Sequence, residues 1–337
     1  MHREVRLARR PEGLPEARHL TVAAAPIPVA GPGEVLARNL YFRVDASIRM
    51  AIGAGAEASP DAPFPPIAEG APLAGEALGE VVAAGPGADL APGDLVLHRA
   101  GWREYACVPA AACLKVADDL ADRAAHLSHG WTAYAALTRG AAVPQGGTVF
   151  VSSAAGAIGS MAGRIARLLG AGRVIGATSS PAKARRLVDE LGYDVGLARE
   201  AGPLIAQLAV AAPDGIDLWL DLVGGDQFSA AVDSVRPGGR ILVLGALSGQ
   251  LAASGTGRTA PAMIDSFPLL LKRLSIRGYS ADDDPEARAE WTRRFGEWLE
   301  RGEIGFPHVV VEGIEQAPAA LEAASRGRHF GVVLVRP

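Results

Sequence analysis

Val149-Phe150-Val151-Ser152-Ser153-Ala154-Ala155-Gly156-Ala157-Ile158-Gly159-Ser160 is the stretch on which the fold turns. Val149 to Val151 make a short apolar strand, very small residues make a turn, and Met161 to Leu169 carries apolar residues at helical spacing. Strand, tight turn and helix in that order make the crossover on which dinucleotides bind. Gly156 lets the backbone approach a pyrophosphate, and Gly159 lets the helix pack close on the strand. The N–H groups that open the helix face the phosphate charge. Ala154 stands where the G-x-G-x-x-G pattern has its first glycine, so the reading leans on context: Gly146-Gly147 before the strand and helical periodicity after it.

The 337 residues, 49% apolar and 21% charged, describe a globular chain long enough for two domains. A net charge of −4 and no basic block argue against nucleic acid or a membrane as the partner. Cys107 and Cys113 make neither a disulfide framework nor a C-x-x-C metal knuckle and are read as small core residues. Met1 to Arg6 carries no apolar leader, and no run of about 20 apolar residues occurs, so a cytoplasmic location is expected.

The first third of the chain has short β-like runs between Pro and Gly turns, at Gly33–Leu40, Gly79–Gly85 and Gly93–Leu97, which predicts a small barrel-like β domain. From about Ala121 helical runs alternate with apolar strands at Arg173–Thr178, Ile216–Leu222, Arg240–Leu244 and Leu274–Tyr279. That alternation predicts an α/β fold with a mostly parallel, doubly wound sheet. Pro237-Gly238-Gly239 reads as a turn, Pro285–Arg301 as an amphipathic helix, and Val309–Val311 and Gly331–Val335 as a return to β structure. The chain thus begins and ends in one domain: residues 1–120, then a nucleotide domain at 121–282, then a return segment at 283–337. Ile52–Glu69 and Leu251–Ala262 read as loops, the second a candidate lid.

In an NAD-binding crossover a carboxylate ends the second strand and holds the ribose 2′-hydroxyl. Here the place reads Gly176-Ala177-Thr178-Ser179-Ser180, with Lys183, Arg185 and Arg186 following. The missing repulsion and the nearby Lys183 favour the extra phosphate of NADPH. Arg185 and Arg186 are read as a solvated helix face. Of seven histidines only His126 and His129 fall at a spacing that shares a helix face, and no companion ligand accompanies them. No metal is expected.

Asn39-Leu40-Tyr41-Phe42-Arg43-Val44-Asp45, Arg49, Gly130-Trp131-Thr132-Ala133-Tyr134, Ala154 to Ser160, Lys183, Asp221-Leu222-Val223-Gly224-Gly225 and Gly245-Ala246 occur in this order. Together they resemble the zinc-free branch of the medium-chain dehydrogenase/reductase superfamily, near the prostaglandin/leukotriene, alkenal double-bond and quinone reductases. Zinc members carry Gly-His-Glu before a G-x-V strand, and here Gly75 takes the place of the His in Ala74-Gly75-Glu76. The resemblance implies a Rossmann domain inserted in a GroES-like β-barrel domain, with NADPH reducing a carbon–carbon double bond conjugated to a carbonyl; the composition of the Ile52–Glu69 and Leu251–Ala262 loops suggests a small apolar substrate. It places the pyrophosphate on Gly156, Ala157, Ile158 and Gly159. Asn39, Thr132, Gly245 and Ala246 fall near the nicotinamide, and Ser180, Lys183 and Arg199 at the adenosine phosphate. It also implies a homodimer paired along Leu274–Tyr279.

Departures from the family pattern bear on the proton donor. Ser47 stands where relatives have Tyr in Asp-Pro-Tyr-Met-Arg, Leu271 where a substrate-facing Tyr is usual, and His329-Phe330-Gly331-Val332 replaces Asn-Leu-Gly-Lys. Tyr279, Tyr41, Ser47 or a ribose hydroxyl of the cofactor are left to support an enolate, and His329 to supply a proton. The lost tyrosines leave two alternatives open: a non-redox cyclase, lyase or isomerase on the same scaffold, or a quinone reductase. Arg49 and Arg258 are read as solvated arginines, with a substrate carboxylate as the other option.

Overall fold

The computed structural model describes residues 1–56 and 65–337, so the loop expected over Ile52–Glu69 lies at 57–64 outside the described residues. The chain divides into two compact units. The first comprises Met1–Ser128, Gln250–Arg258 and His308–Pro337, the second His129–Gly249 and Thr259–Pro307.

The first unit opens with an antiparallel hairpin, β1 (His2–Leu7) and β2 (Leu20–Ala25). Then come β3 (Glu34–Arg43), the one-turn helix α1 (Arg49–Ile52), β4 (Ala77–Ala84), β5 (Leu95–His98), β6 (Tyr105–Pro109) and β7 (Leu114–Val116). Strand β3 is long because it serves three neighbours: β4 and β6 along its length and β15, described below, at its end. Val35, Ala37, Val81, Val96, Ala106 and Val108 fill the barrel-like interior. A second core gathers Phe42, Ile48, Ile52, Leu73 and Trp102, with the Phe42 and Trp102 rings 5.1 Å apart.

In the second unit, α2 (Gly130–Ala135) precedes six strands and their crossovers: β8 (Thr148–Val151), α3 (Gly159–Leu168), β9 (Arg173–Thr178), α4 (Pro181–Leu191), β10 (Val195–Ala198), α5 (Leu204–Ala211), β11 (Ile216–Asp221), α6 (Gly225–Ser234), β12 (Val235–Val243), α7 (Leu247–Gln250), α8 (Ser266–Lys272) and β13 (Ser275–Gly278). All are parallel, in the order β10-β9-β8-β11-β12-β13. This is the doubly wound order, with its switch point between β8 and β11. Phe150 and Trp219, with rings 3.9 Å apart, share an apolar layer with Ile175, Ile241, Leu208, Ala231 and Val232. Helix α9 (Pro285–Glu300) follows. The chain then re-enters the first unit as β14 (His308–Glu312), α10 (Ala317–Ser325) and β15 (Val332–Arg336), giving a mixed sheet in the order β14-β15-β3-β4-β5-β7.

The structure departs from the sequence expectations in specific places. The divides fall after Ser128 and Pro307, not after 120 and 282. The reason is α9, whose Trp291, Phe295 and Trp298 are buried, two of them against Tyr134 of α2 (Trp291 at 5.8 Å, Trp298 at 6.1 Å). Pro237-Gly238-Gly239 is no turn before a strand; it bulges within β12, where the register with β11 shifts between Ile216 and Leu218. His126 lies in a 3-10 turn and His129 caps α2, so the two share no helix face. Cys107 and Cys113 are half-buried rather than core residues. No helix among the described residues is long and apolar enough to cross a membrane.

Candidate functional site

Parallel strands in register bring their carboxyl ends to one edge. Val151 of β8 pairs with Gly176 of β9, Thr178 with Ala198 of β10, and Asp221 of β11 with Val243 of β12, which pairs with Gly278 of β13. Everything that follows these strands therefore opens on the same rim: the turn Ser153–Ile158, Ser179–Lys183, Arg199, Leu222–Gly225, Leu244–Ala246 and Tyr279. Of the expected site residues, this rim gathers Gly156, Ala157, Ile158, Gly159, Ser180, Lys183, Arg199, Gly245, Ala246 and Tyr279.

Asp221 holds the rim together. It is fully buried, and Ser152 Oγ donates to its Oδ1 at 3.1 Å while accepting from Leu222 N at 2.7 Å. The same carboxylate accepts from Val223 N (3.1 Å) and Gly224 N (3.1 Å), and the Asp221 carbonyl accepts from Leu244 N (2.8 Å) and Gly245 N (3.2 Å). Burial pushes the Asp221 pKa up, against backbone N–H and hydroxyl donors that favour the ionised form. One side chain and its own carbonyl thus tie β8, β11 and the exit of β12 at the switch point.

The turn after β8 is equally constrained. Ser153 sits at φ 49°, a left-handed conformation unusual for a residue with a side chain. A Cβ on Gly159 would fall 2.3 Å from the Ser153 carbonyl oxygen and 2.6 Å from Ala154 Cα, so only glycine lets α3 start so close. Ala154 takes the first-glycine place because the facing residue gives way: its Cβ lies 2.7 Å from where a Cβ on Gly176 would stand. Tyr193, fully buried, donates its hydroxyl to the Gly159 carbonyl at 2.6 Å, and its ring fills the space over Gly163 and Gly176. Burial raises the Tyr193 pKa far above the phenol range.

At the end of β9, Ser180 Oγ accepts from Lys183 N and Pro181 occupies the first helical position, so Ser180 caps α4. That cap places Lys183 in the first turn, half-buried, with its pKa lowered by burial and then by Arg186. Arg185 and Arg186 are exposed, and Arg186 pairs with Glu190. Arg199 is exposed in a 3-10 turn after β10. Thr132 is half-buried on α2. Tyr279 donates its hydroxyl to Asp284 Oδ2 at 3.1 Å, and Asp284 also caps α9 through Ala287 N. Burial and that carboxylate push the Tyr279 pKa up to about 12.

The remaining candidates belong to the first unit. Asn39 is buried, and its Nδ2 donates to the Ala100 (3.1 Å) and Arg103 (2.8 Å) carbonyls, fixing the loop between β5 and β6. The Tyr41 hydroxyl accepts from Arg336 Nη2 at 2.6 Å, on the wall of an open groove of about 630 Å³ that Arg38, Tyr105 and Arg123 also line. Ser47 is half-buried in a 3-10 turn before α1, and His329 is half-buried ahead of β15. Arg49 is not solvated but 1% exposed, and Arg258 Nη2 meets backbone carbonyls rather than standing free for a substrate. Sequence reasoning missed Ser152 and Tyr193 as site residues and used the Asp221-Leu-Val-Gly-Gly run only for resemblance. A polar residue ending an otherwise apolar strand on each side of the switch point was the available signal.

Fold and rim together define the dinucleotide-binding, doubly wound class. Comparison with known proteins agrees. A family profile described as the N-terminal domain of oxidoreductase matches residues 3–116, and one described as zinc-binding dehydrogenase matches residues 157–300. YfmJ of Bacillus subtilis (strain 168) is 32% identical over 99% of this chain and 97% of its own length. The NADPH-dependent curcumin reductase of Escherichia coli (strain K12) is 30% identical over 98% of this chain and 95% of its own. The crystal structure of CurA from Vibrio vulnificus, solved also in complex with NADPH, superposes with a TM-score of 0.87 at 29% identity, covering 100% of this chain and 98% of that one. The chain belongs to the zinc-free branch of the medium-chain dehydrogenase/reductase superfamily. The donor set for zinc does not fit: among the described residues no three His, Cys, Asp or Glu side chains converge.

Asp221→Ala removes the carboxylate that accepts from the half-buried Val223 N, the buried Gly224 N and the Ser152 hydroxyl. Urea unfolding is expected to show a loss of about 3 kcal/mol, and a loss below about 1 kcal/mol would remove Asp221 from this role.

Proposed function

We propose that this chain is an NADPH-dependent reductase that delivers hydride to the β-carbon of an α,β-unsaturated ketone or aldehyde without a metal. The observation that carries the reading is the end of β9. Thr178-Ser179-Ser180 offers no carboxylate for a ribose 2′-hydroxyl, and α4 opens there with Lys183 in its first turn. Full-length likeness to a curcumin reductase and a prostaglandin reductase, and likeness over 90% of the chain to a 2-alkenal reductase, supports the substrate class.

NADPH supplies the hydride when bound. Gly156, Ala157, Ile158 and Gly159 would hold its pyrophosphate at the N-terminus of α3, whose close start on the turn Gly159 permits. Ser180, Lys183 and Arg199 would hold the adenosine phosphate, and Gly245 and Ala246 would present backbone to the nicotinamide side. We assign Thr132 to that end as well, whereas Asn39 would act through the loop it ties. As hydride arrives at the β-carbon, charge collects on the carbonyl oxygen, and the α-carbon must gain a proton. Tyr279 donates its hydroxyl to Asp284, so we assign it to holding α9. The Tyr41 hydroxyl accepts from Arg336 and so still has a proton to donate, and it stays a candidate beside Ser47 and His329.

We also propose that a second copy of the chain pairs along β13. All four of its residues are exposed at the sheet edge, and Phe267, Leu270, Leu271 and Ile276 expose apolar surface around it. Light scattering at micromolar concentration should give a dimer that Leu270→Lys with Ile276→Lys converts to monomer; a monomeric wild type would overturn this pairing. For the reaction, a panel of small enones and enals should consume NADPH one for one with saturated product. Lys183→Glu should weaken NADPH at least tenfold and leave NADH within about threefold, since only one of them carries the added phosphate. Equal losses for both nucleotides, or no turnover across the panel, would contradict the proposal.

A further inference from the structure

The chain leaves the second unit at Gly249, spends Gln250–Arg258 in the first, and returns at Thr259. The two ends of this excursion are pinched together, for a Cβ on Gly249 would fall 2.2 Å from the Thr259 carbonyl oxygen. A loop with touching ends is an Ω-type loop, and such loops are held by what their interior packs against. This one has little to pack. Ala253, Ser254, Gly255 and Thr256 are small and exposed, and Leu251 is its single large apolar residue.

Two arginines supply the hold instead. The Arg49 Nη1 donates to the carbonyls of Gln250 (2.7 Å) and Ala252 (2.6 Å), and its Nη2 to that of Gly255 (3.0 Å). In the opposite sense Arg258 Nη2 donates to the carbonyls of Met50 (2.8 Å), within α1, and Ala56 (3.2 Å), beyond it. Each arginine thus reaches into the backbone of the other's segment.

Arg49 carries a penalty in this arrangement. It is 1% exposed, and its described partners are carbonyls rather than carboxylates. Carbonyl dipoles satisfy its donors without neutralising its charge, so closing the loop strips water from a full positive charge. Burial pulls the Arg49 pKa down for the same reason. Arg43 in the same unit shows the contrast: equally buried, it pairs with both Asp45 and Glu76. Lifting the loop returns water to Arg49 and exposes little apolar surface, so opening requires far less than unfolding the domain.

We infer that Gln250–Arg258 is a releasable strap, hinged where Gly249 meets Thr259 and latched by Arg49 and Arg258. It continues directly from Gly245–Ala246, so a ligand on that backbone bears on the hinge. This inference goes beyond the proposed reaction and does not depend on it. Amide hydrogen exchange followed by mass spectrometry, without nucleotide, tests it on wild type, Arg49→Lys, Arg49→Gln and Arg258→Gln. In wild type the strap amides should exchange faster than those of β8 and β11. Arg49→Gln and Arg258→Gln should each speed the strap at least tenfold and leave β8 and β11 unchanged, and Arg49→Lys should speed it less than Arg49→Gln. A strap whose exchange is the same in wild type and both glutamine variants overturns the latch. A strap that exchanges only together with β8 and β11 overturns its independent opening. Should Arg49→Gln fail to fold, the wild-type rates and Arg258→Gln decide between the same outcomes.

Discussion

A buried carboxylate at the switch point of a parallel sheet is the constraint on which the rest depends. Strands β8 and β11 are neighbours in space whose chains depart in opposite senses, so a crevice opens between their carboxyl ends. Backbone groups bordering a crevice lose their ladder partners, and unpaired buried N–H groups are costly. Asp221 meets that need with one side chain, taking Ser152, Val223 and Gly224 as donors while its carbonyl takes Leu244 and Gly245. The rim is thereby set before any ligand arrives, and binding need not spend energy ordering it.

The first unit answers the same problem of buried polarity with arginine. Arg43 carries its charge into the interior with Asp45 and Glu76 and reaches the Leu127 carbonyl, fixing the segment that leads to Ser47. Arg49 spends its donors on carbonyls. One arrangement neutralises its buried charge and the other leaves it on carbonyls alone.

Much of this architecture was legible in the sequence. Val149–Ser160 specified strand, turn and helix because apolar period and residue size change abruptly there. Ser180-Pro181 marked the start of α4 through cap chemistry that acts locally. Less was legible where partners lie far apart in the chain. Arg49 looks like any surface arginine until Gln250–Gly255 is folded against it, and Asn39 gives no sign of the Ala100 and Arg103 carbonyls it holds. Pro237-Gly238-Gly239 has turn composition but lies between two stretches of one strand, and only the pairing with β11 reveals a bulge. The divide at 307 rather than 282 depends on Trp291 and Trp298 finding Tyr134 more than 150 residues earlier in the chain, which no local pattern records.

We propose that a phosphorylated nicotinamide nucleotide lies on the rim that Asp221 organises. The most direct measurement is amide exchange across the wild-type chain as NADPH is added. Exchange should slow in two separate segments, Ser152–Ser160 and Leu222–Ala246, at the same nucleotide concentration. Binding of NADPH, seen by calorimetry, that leaves both segments exchanging as before would contradict it.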